Sequence, residues 1–467
     1  MTDATTLPRI EDFQTDLDAS AIAACDAANT RSIAMQAYLS AFPSFLHLRQ
    51  LSEYLAGRRM MAAGEPPLGG WFLMRALSTP EVTTVSPNVD TLYGAAYLLL
   101  REHGPVVLRV PPIRDRYFSV VLMDTSFNNI AIISPRTAGD DGGDWLVVPP
   151  DWSGVTPGGV QGVIEATSSS VFLVQRIYVR DTSEVPALHE LQDAIRLLPL
   201  GGWPNGDARF PDIDVTSYDL QDVRETRDPL RFFELTNAYR AGDPWPASEA
   251  GLLDLFRSVG VGPGAVLPNE PARRAAICEA AADAQAAMNA RLSRGVTRDG
   301  WRVPDPLAGQ AGPHLLDRAA TQANAMGAFV NEEAMYFFAY RDRGGELLDG
   351  RGHWTLTFPA GGLPPLGEHG FWSLTMYDER NLLVANPIDR YTIRPDTPGL
   401  RSDADGGLTI HMAADRPDGI PEGNWLPAPR GAFNVALRTY LPEAPIRDGS
   451  WFPPGIVRAA ETADARP

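Results

Sequence analysis

A short polar stretch near position 90 carries the residue types that acid–base catalysis uses. Asn88, Asp90 and Tyr93 stand close together, directly ahead of an apolar run. Burial raises the pKa of a carboxyl group towards neutrality, so a buried Asp90 is a candidate general base and Tyr93 a candidate acid. Asn and Asp in such positions also brace turns, and that structural role is the alternative.

Two charged residues lie at the end of, or inside, apolar runs farther along the chain. Asp124 ends the run 117–123, whereas Arg176 stands inside the run 171–179. A charge inside a buried strand needs a partner, so the two residues are predicted to form one buried pair. Such a pair is either a structural ion pair or part of a functional site.

Alternation in the C-terminal strands separates an apolar face from a polar one. Tyr377 and Arg438 share the polar face with serines, threonines and histidines. The pattern predicts one sheet whose polar face either is exposed to water or lines a cavity or an interface. Phe371 and Trp372 either line a pocket there or belong to the core.

Histidine spacing gives little support for a metal centre. The sequence contains neither His-Glu-x-x-His nor His-x-His. His353, His411 and His369 fall in the C-terminal strands and an adjoining loop, so a three-histidine site is geometrically possible. Surface or packing roles are the alternative, and we predict no bound metal.

All 40 basic residues are arginines, and the sequence contains no lysine. A pyridoxal Schiff base, a lysine-dependent aldolase and a P-loop each need a lysine amine, so these classes are excluded. Gly-x-Ser-x-Gly is also missing, as is Gly-x-Gly-x-x-Gly after a strand, which argues against α/β-hydrolases and Rossmann dehydrogenases. We therefore predict no cofactor.

Charge and cysteine content narrow the class of partner and the compartment. The net charge of −18 makes the surface repel nucleic acid and anionic membranes, so we expect a small-molecule substrate. Cys25 and Cys278 are too few for a disulfide framework. The N-terminus lacks the basic and apolar regions of a signal peptide, which predicts a cytoplasmic protein.

Periodicity divides the chain into alternating helical and β regions, with no internal repeat visible in the sequence. We predict a helical N-terminal segment (1–65), a first β-sandwich domain (66–200), a helical middle region (201–334), a second β-sandwich domain (335–455) and a disordered tail (456–467). The first helix is placed at 18–62 with a break near Pro43. The second sandwich is predicted to have strands at 335–341, 353–358, 371–377, 382–385, 407–412 and 432–440. The fold class is mainly β with α.

The motifs of both β regions resemble a known bacterial family. Phe-Trp-Ser-Leu-Thr-Met-Tyr-Asp at 371–378 follows Phe-Pro-Ala-Gly-Gly-Leu-Pro-Pro at 358–365, and further motifs come at 386–391 and 424–429. This order resembles the domain of unknown function numbered 1214, and the stretches 88–93 and 116–129 resemble its usual partner, numbered 1254. The resemblance implies two jelly-roll-like antiparallel β-sandwiches flanked by helices, often in oligomers.

Together these observations predict a lysine-free acid–base enzyme, namely a hydrolase, lyase or isomerase, acting on a small, partly apolar molecule. The alternative is a non-catalytic ligand-binding or structural jelly-roll protein, in which the same groups are hydrogen-bond braces. In either case we expect a homo-oligomer. The candidate bases are Asp90 and Asp124, the candidate acids Tyr93 and Tyr377, and the candidate anion partners Arg176 and Arg438. The candidate substrate-binding residues are Asn88, Arg116, Phe371, Trp372, Asn386 and Trp425.

Overall fold

The structure, a computed structural model, describes residues 16–55, 68–214, 220–243 and 249–459. The chain begins with one long helix, α1 (Ala19–Leu55), which continues through Pro43. The predicted break is therefore wrong: the helix around the proline is buried against the helical middle region, and this packing outweighs the one backbone hydrogen bond that proline removes. The predicted extension to residue 62 lies outside the described residues.

A first β-sandwich follows, built from two sheets that enclose an apolar core. One sheet has the strand order β1-β2-β8-β4-β5, and the other has the order β7-β6-β3-β9. All strand pairs are antiparallel except β6 with β7. The elements are β1 (Phe72–Leu73), β2 (Thr91–Leu99), α2 (Leu100–His103), β3 (Val106–Val110), β4 (Phe118–Met123), β5 (Asn129–Ile133), α3 (Pro135–Ala138), β6 (Gly143–Val148), β7 (Gly162–Glu165), β8 (Ser170–Tyr178), α4 (Val185–Ala194) and β9 (Arg196–Pro199).

The middle region packs five helices around α1. Its core is rich in alanine, which allows the helices to approach closely. A short hairpin then extends the next sheet. The elements are α5 (Leu220–Glu225), α6 (Pro229–Tyr239), α7 (Ala250–Arg257), α8 (Pro271–Ser293), β10 (Thr297–Arg298), β11 (Trp301–Arg302) and α9 (Leu315–Asn324). Among the described residues, no helix is long and apolar enough to cross a membrane.

The second sandwich contains sheets of order β10-β11-β12-β18-β14-β15 and β17-β16-β13-β19 around its own core. The predicted strand at 382–385 is wrong: those residues form a loop, and the strand that pairs with β14 comes later, at β15. The elements are β12 (Ala334–Ala339), β13 (Trp354–Phe358), β14 (Trp372–Asp378), β15 (Thr392–Ile393), β16 (Leu408–Ala413), β17 (Trp425–Pro427), β18 (Phe433–Tyr440), α10 (Ala444–Arg447) and β19 (Val457–Arg458). Residues 460–467 of the predicted disordered tail lie outside the described residues.

The two sandwiches repeat one topology strand for strand. Adding ten to the strand numbers of β2-β8-β4-β5 gives β12-β18-β14-β15, and β7-β6-β3-β9 likewise becomes β17-β16-β13-β19. The parallel pair recurs too, as β6 with β7 and β16 with β17. The chain therefore contains an internal structural duplication. The prediction of sandwich domains with a helical N-terminal segment and a helical middle is confirmed.

The two larger sheets pack their outer faces against each other. A buried cluster joins residues of β4, β5 and β8 to residues of β12 and to the residues flanking β14 and β18. We call this the inter-sandwich interface. The predicted single polar sheet is wrong in one respect, because β13 and β16 lie in one sheet and β14 and β18 in the other. The polar face of β14 and β18 lies in the interface.

Candidate functional site

A matched row of three residues crosses each of the two facing sheets. In the first sandwich, Tyr93 and Ser119 flank Arg176 on the neighbouring strands. In the second sandwich, the corresponding row is Tyr336, Arg438 and Ser373. Each row therefore directs an arginine into the same interface from opposite sides.

Arg438 has its hydrogen-bonding needs met by its own sandwich and the segment that crosses to it. Its Nη1 donates to Oγ1 of Thr375 (2.8 Å), and its Nη2 donates to the hydroxyl of Tyr377 (2.7 Å) and to the carbonyl of Ser86 (3.2 Å). The residue is 4% exposed. Burial raises the pKa of Tyr377, so this phenol is neutral at physiological pH. Arg438 is therefore a well-satisfied buried cation.

Arg176 has no such partners, although it too is buried, with only 9% of its surface exposed. Its Nε and Nη1 are buried without a hydrogen-bond acceptor, and no ion pair links it to a described residue. The guanidinium instead lies over two aromatic rings, 4.0 Å from the centre of Phe329 and 4.9 Å from that of Tyr93. A buried cation without an acceptor is costly, so this position calls for an anion.

Two tyrosines beside Arg176 also keep their hydroxyls free. Tyr93 and Tyr336 are only partly buried, and neither hydroxyl forms a hydrogen bond with a described residue. Burial raises the pKa of Tyr336 to about 12, with Arg176 acting in the opposite direction. That phenol is therefore a neutral proton donor at pH 7. Arg176 thus offers donors alone, and each of the two phenols offers one donor besides its acceptor lone pairs.

Asp90 lies at the edge of the same interface and is fully buried. Its Oδ2 accepts a hydrogen bond from Ser373 Oγ (2.6 Å), and its Oδ1 lies 3.9 Å from Arg394 Nη1 without a hydrogen bond. Asn88 braces the turn before it, because its Oδ1 accepts from the backbone N–H of Asp90 (2.7 Å). Its Nδ2 also donates to the hydroxyl of Tyr440 (2.8 Å). The carboxylate of the first sandwich is therefore held by side chains of the second.

Glu333 mirrors Asp90, and the sequence analysis missed it. It precedes β12 as Asp90 precedes β2, and it is fully buried. It accepts hydrogen bonds from Tyr117, Ser134 and Arg136, all of the first sandwich and all at 3.0 Å. Burial raises the pKa of Glu333, and Arg136 opposes the shift. The signal in the sequence is an acidic residue directly before a strand of aromatic residues.

An aromatic stack lines the interface next to these groups. Phe371 lies between Tyr178 and Tyr440, with ring centres 3.8 and 4.3 Å away. Tyr117 packs against Tyr440 at 4.9 Å. Phe371 therefore belongs to the candidate site, as a wall of the interface.

Two charged candidates from the sequence lie outside this cluster. The predicted Asp124–Arg176 pair is not formed, because the Asp124 carboxylate accepts from the backbone N–H groups of Ser126 and Asn128, and from the Thr167 hydroxyl. It closes its own loop instead of reaching β8. Arg116 is paired with Asp115 (2.8 Å) and Glu184 (2.9 Å) in the first sandwich.

The remaining substrate-binding candidates serve local structure. Trp372 is in the apolar core of the second sandwich, because its side chain points away from the interface. Asn386 braces its loop, donating to the carbonyl of Arg390 (2.9 Å). Trp425 donates from Nε1 to the carbonyl of Ala413 (2.9 Å).

Metal binding finds no support in the described part of the chain. No group of three or more His, Cys, Asp and Glu residues there has the geometry to hold a metal ion. His353 Nε2 lies 2.9 Å from His411 Nδ1, whereas His369 contacts Asp140 of the first sandwich (3.4 Å). The three histidines therefore do not gather around one point.

An open cleft of about 670 Å³ lies where the sandwiches meet at the surface. Arg136 lines this cleft and also contacts the buried Glu333, so it connects the cleft with the interface. The cleft's other ionisable residues are four acids, one arginine and one histidine, so acidic groups predominate on the cleft walls: Asp140, Glu332, Glu368, Glu443, Arg447 and His369.

Comparison with known proteins gives two domain matches and one shared fold. A model described as "Protein of unknown function (DUF1254)" matches residues 71–199, and one described as "Protein of unknown function (DUF1214)" matches residues 333–444. None of the curated proteins matches this sequence. The crystal structure of the VPA0106 protein from Vibrio parahaemolyticus is similar, with 21% identity, a TM-score of 0.71, and coverage of 92% of this chain and 100% of that chain. A putative uncharacterized protein from Burkholderia cenocepacia has 13% identity and a TM-score of 0.43 over 94% of this chain and 97% of that one.

Proposed function

This chain belongs to the family that joins the DUF1254 and DUF1214 domains, and from its geometry we propose that it binds a small, partly apolar organic anion between its two β-sandwiches. The family resemblance drawn from the motifs is thereby confirmed, with both domains in the expected order.

The observation that carries the proposal is the unsatisfied guanidinium of Arg176. A buried charge that lacks a partner costs several kcal/mol, and folded proteins normally supply an acceptor. Here the described chain supplies aromatic rings alone, those of Phe329 and Tyr93. A ligand with one anionic group and an apolar body would satisfy both the cation and the rings.

The neighbouring hydroxyls fit the same ligand. Tyr93 and Tyr336 can each donate a hydrogen bond to a ligand oxygen, because neither is engaged elsewhere. Charge-assisted hydrogen bonds from a guanidinium are about twice as strong as neutral ones, so Arg176 would be the anchor and the tyrosines would orient the ligand.

Acid–base catalysis on the same molecule is the second candidate function. The observation in its favour is the phenol of Tyr93 next to the guanidinium of Arg176, a pair that could donate a proton to, and stabilise, a developing oxyanion. In this hypothesis Tyr93 is the acid, Arg176 the anion partner and Asp90 the base. Tyr377 and Arg438 bond to each other and would support the opposite wall. A hydrolase, lyase or isomerase remains the proposed class.

The test compares ligand binding by the purified wild-type protein and by Arg176→Met. Native mass spectrometry detects any co-purified small molecule, and thermal shift reports binding of a panel of benzoate, isovalerate, benzenesulfonate and phenyl phosphate. We expect at least one anion to stabilise the wild-type protein and none to stabilise the variant. The same shift in both proteins, or no shift and no co-purified anion, would refute the proposal.

The same samples address the remaining expectations. Native mass spectrometry gives the subunit count, and a dimer or larger species would support the proposed homo-oligomer. Incubation of a binding anion with the protein, followed by analysis of the small molecule, separates the two functions. A changed molecule supports the enzyme, and an unchanged one supports binding alone.

A further inference from the structure

The internal duplication makes Arg438 a reference for what Arg176 lacks. Both arginines occupy the same position in their sheets, between a tyrosine strand and a serine strand. Differences between the two surroundings are therefore differences at equivalent positions, and they show which groups the first sandwich has left out.

The missing groups are two hydroxyls. Counting from the serine of each row, Thr375 corresponds to Val121 and Tyr377 to Met123. Thr375 and Tyr377 are the side chains that accept hydrogen bonds from Arg438. Their counterparts next to Arg176 are apolar and fully buried, so they accept nothing.

Counted from Asp90 and Glu333, segment 86–88 corresponds to segment 329–331, but the first supplies acceptors to the second site and the other places an aromatic ring in the first site. The carbonyl of Ser86 accepts from Nη2 of Arg438, and the Pro87 carbonyl accepts from the Tyr377 hydroxyl (2.7 Å). Segment 86–88 thus closes the space above Arg438. Above Arg176 stands the ring of Phe329.

We propose that Arg176 is the open copy of a duplicated arginine site, and that it takes an aromatic or branched monocarboxylate. This inference rests on the proposed function and narrows its ligand. The two carboxylate oxygens would replace the two hydroxyls that Arg438 has and Arg176 lacks, because a guanidinium binds a carboxylate through two parallel hydrogen bonds. The apolar body would pack against Val121, Met123 and Phe329, which are buried apolar side chains of one cluster.

The proposal implies that adding one hydroxyl as an acceptor for Arg176 should weaken ligand binding at the first site. Val121→Thr is nearly isosteric and places Oγ1 where Thr375 has it relative to Arg438. Arg176 would then have an acceptor within the chain, and a carboxylate would have to displace it. Val120→Thr is the matched control, since it makes the same change one residue away, on the face that points into the core of the first sandwich.

The experiment measures the affinity of full-length protein for phenylacetate by calorimetry, with phenylacetamide as the neutral analogue. We expect phenylacetate to bind, phenylacetamide to bind at least tenfold more weakly, Val121→Thr to weaken phenylacetate binding about tenfold, and Val120→Thr to leave it within twofold. Circular dichroism confirms that each variant is folded. If Val120→Thr fails to fold, Val120→Ala replaces it, because it changes the same core-facing position without burying a hydroxyl, and it is expected to leave phenylacetate binding within twofold.

Four outcomes would overturn the inference. Equal binding of phenylacetate and phenylacetamide would show that the site does not recognise a carboxylate. Equal effects of the two threonine variants would show that the surroundings of Arg438 do not indicate what Arg176 lacks. Binding of benzenesulfonate or phenyl phosphate through Arg176, without binding of phenylacetate, benzoate or isovalerate, would refute the carboxylate and leave the proposed function standing. No binding of any of these anions, and no co-purified anion, would refute both.

Discussion

Exchanging each of the two interface arginines for methionine should have different effects on stability, destabilising at Arg438 and not at Arg176. Methionine keeps an unbranched apolar stem like that of arginine, although it is shorter, and it removes the charge and the hydrogen bonds. Arg438 makes three hydrogen bonds to neutral acceptors within the chain, whereas Arg176 makes none to a described residue. The two variants therefore differ mainly in how many bonds are broken.

The magnitudes follow from these contacts. A hydrogen bond to a charged group contributes about 1.5–3 kcal/mol. Arg438→Met loses three such bonds, and this loss outweighs the relief of no longer burying a charge. We therefore expect the free energy of unfolding of Arg438→Met to be about 3 kcal/mol lower than that of the wild-type protein. Arg176→Met loses about 2 kcal/mol of cation–π attraction to Phe329 and Tyr93. It also removes the cost of burying an unpaired charge, which is several kcal/mol. Arg176→Met should be as stable as the wild-type protein, or more stable.

Urea denaturation of ligand-free protein measures the difference in the free energy of unfolding between the variants. Circular dichroism and tryptophan fluorescence monitor the unfolding. Coincident transitions allow the free energies of unfolding to be compared. A ligand at one hundred times its Kd should add about 2.7 kcal/mol to the wild-type protein and nothing to Arg176→Met. If Arg176→Met is destabilised as strongly as Arg438→Met in the absence of ligand, then Arg176 is satisfied within the chain and the anion-site reasoning fails.

Three further predictions concern the buried acids and one histidine. Ser373→Ala should destabilise the protein by about 1–3 kcal/mol in urea, because it removes the hydrogen bond to the fully buried Asp90; a loss below 0.5 kcal/mol would show that water replaces the hydroxyl. Tyr117→Phe should cost a similar 1–3 kcal/mol at pH 7 and less at low pH, since the raised pKa of Glu333 means that protonation relieves its burial; an unchanged cost down to pH 4 would contradict this. Burial lowers the pKa of His47 to about 3, so below about pH 6.5 the unfolded chain takes up a proton that the native state does not. The wild-type protein should therefore lose about 2 kcal/mol of unfolding free energy between pH 7 and pH 5, and His47→Asn should abolish this loss. An equal dependence of the unfolding free energy on pH in both proteins would refute the prediction.

The sequence predicts the fold well where a strand has one apolar face. The predicted strand at 371–377 gives β14 and the predicted strand at 407–412 gives β16, each shifted by one residue. Failures come where local signals are weak or where tertiary contacts decide. The predicted strand at 382–385 is a loop, and β15 takes the place beside β14, because strand pairing and not the local pattern decides which segment joins the sheet.

The candidate site is only partly visible in the sequence, because an arginine inside an apolar strand signals burial and does not identify its partner. Arg176 and Arg438 stand out in this way, and both lie in the interface. The predicted pair of Arg176 and Asp124 combines residues of separate strands, and the loop of Asp124 satisfies that carboxylate locally. The role of Tyr336 depends on the facing of two sheets, which no local pattern encodes.

The relation between the two sandwiches was equally hidden, because the repeat lies in the order of the strands. Equivalent positions hold different residues, such as Thr375 against Val121. Strand order is set by which apolar faces meet, and many sequences meet that requirement. A duplication can therefore survive in the topology after the residue pattern has diverged.

Covalent linkage of the two sandwiches lets one half change without the other. A homodimer built from a single such sandwich would carry two identical arginine sites, so any substitution that opened one would open both and would weaken the contact twice. In this chain the hydrogen bonds of Arg438 can hold the two halves together, while residues around Arg176 can be substituted without breaking those bonds. The fused arrangement thus separates the residues that hold the halves together from those that can adapt to a new ligand.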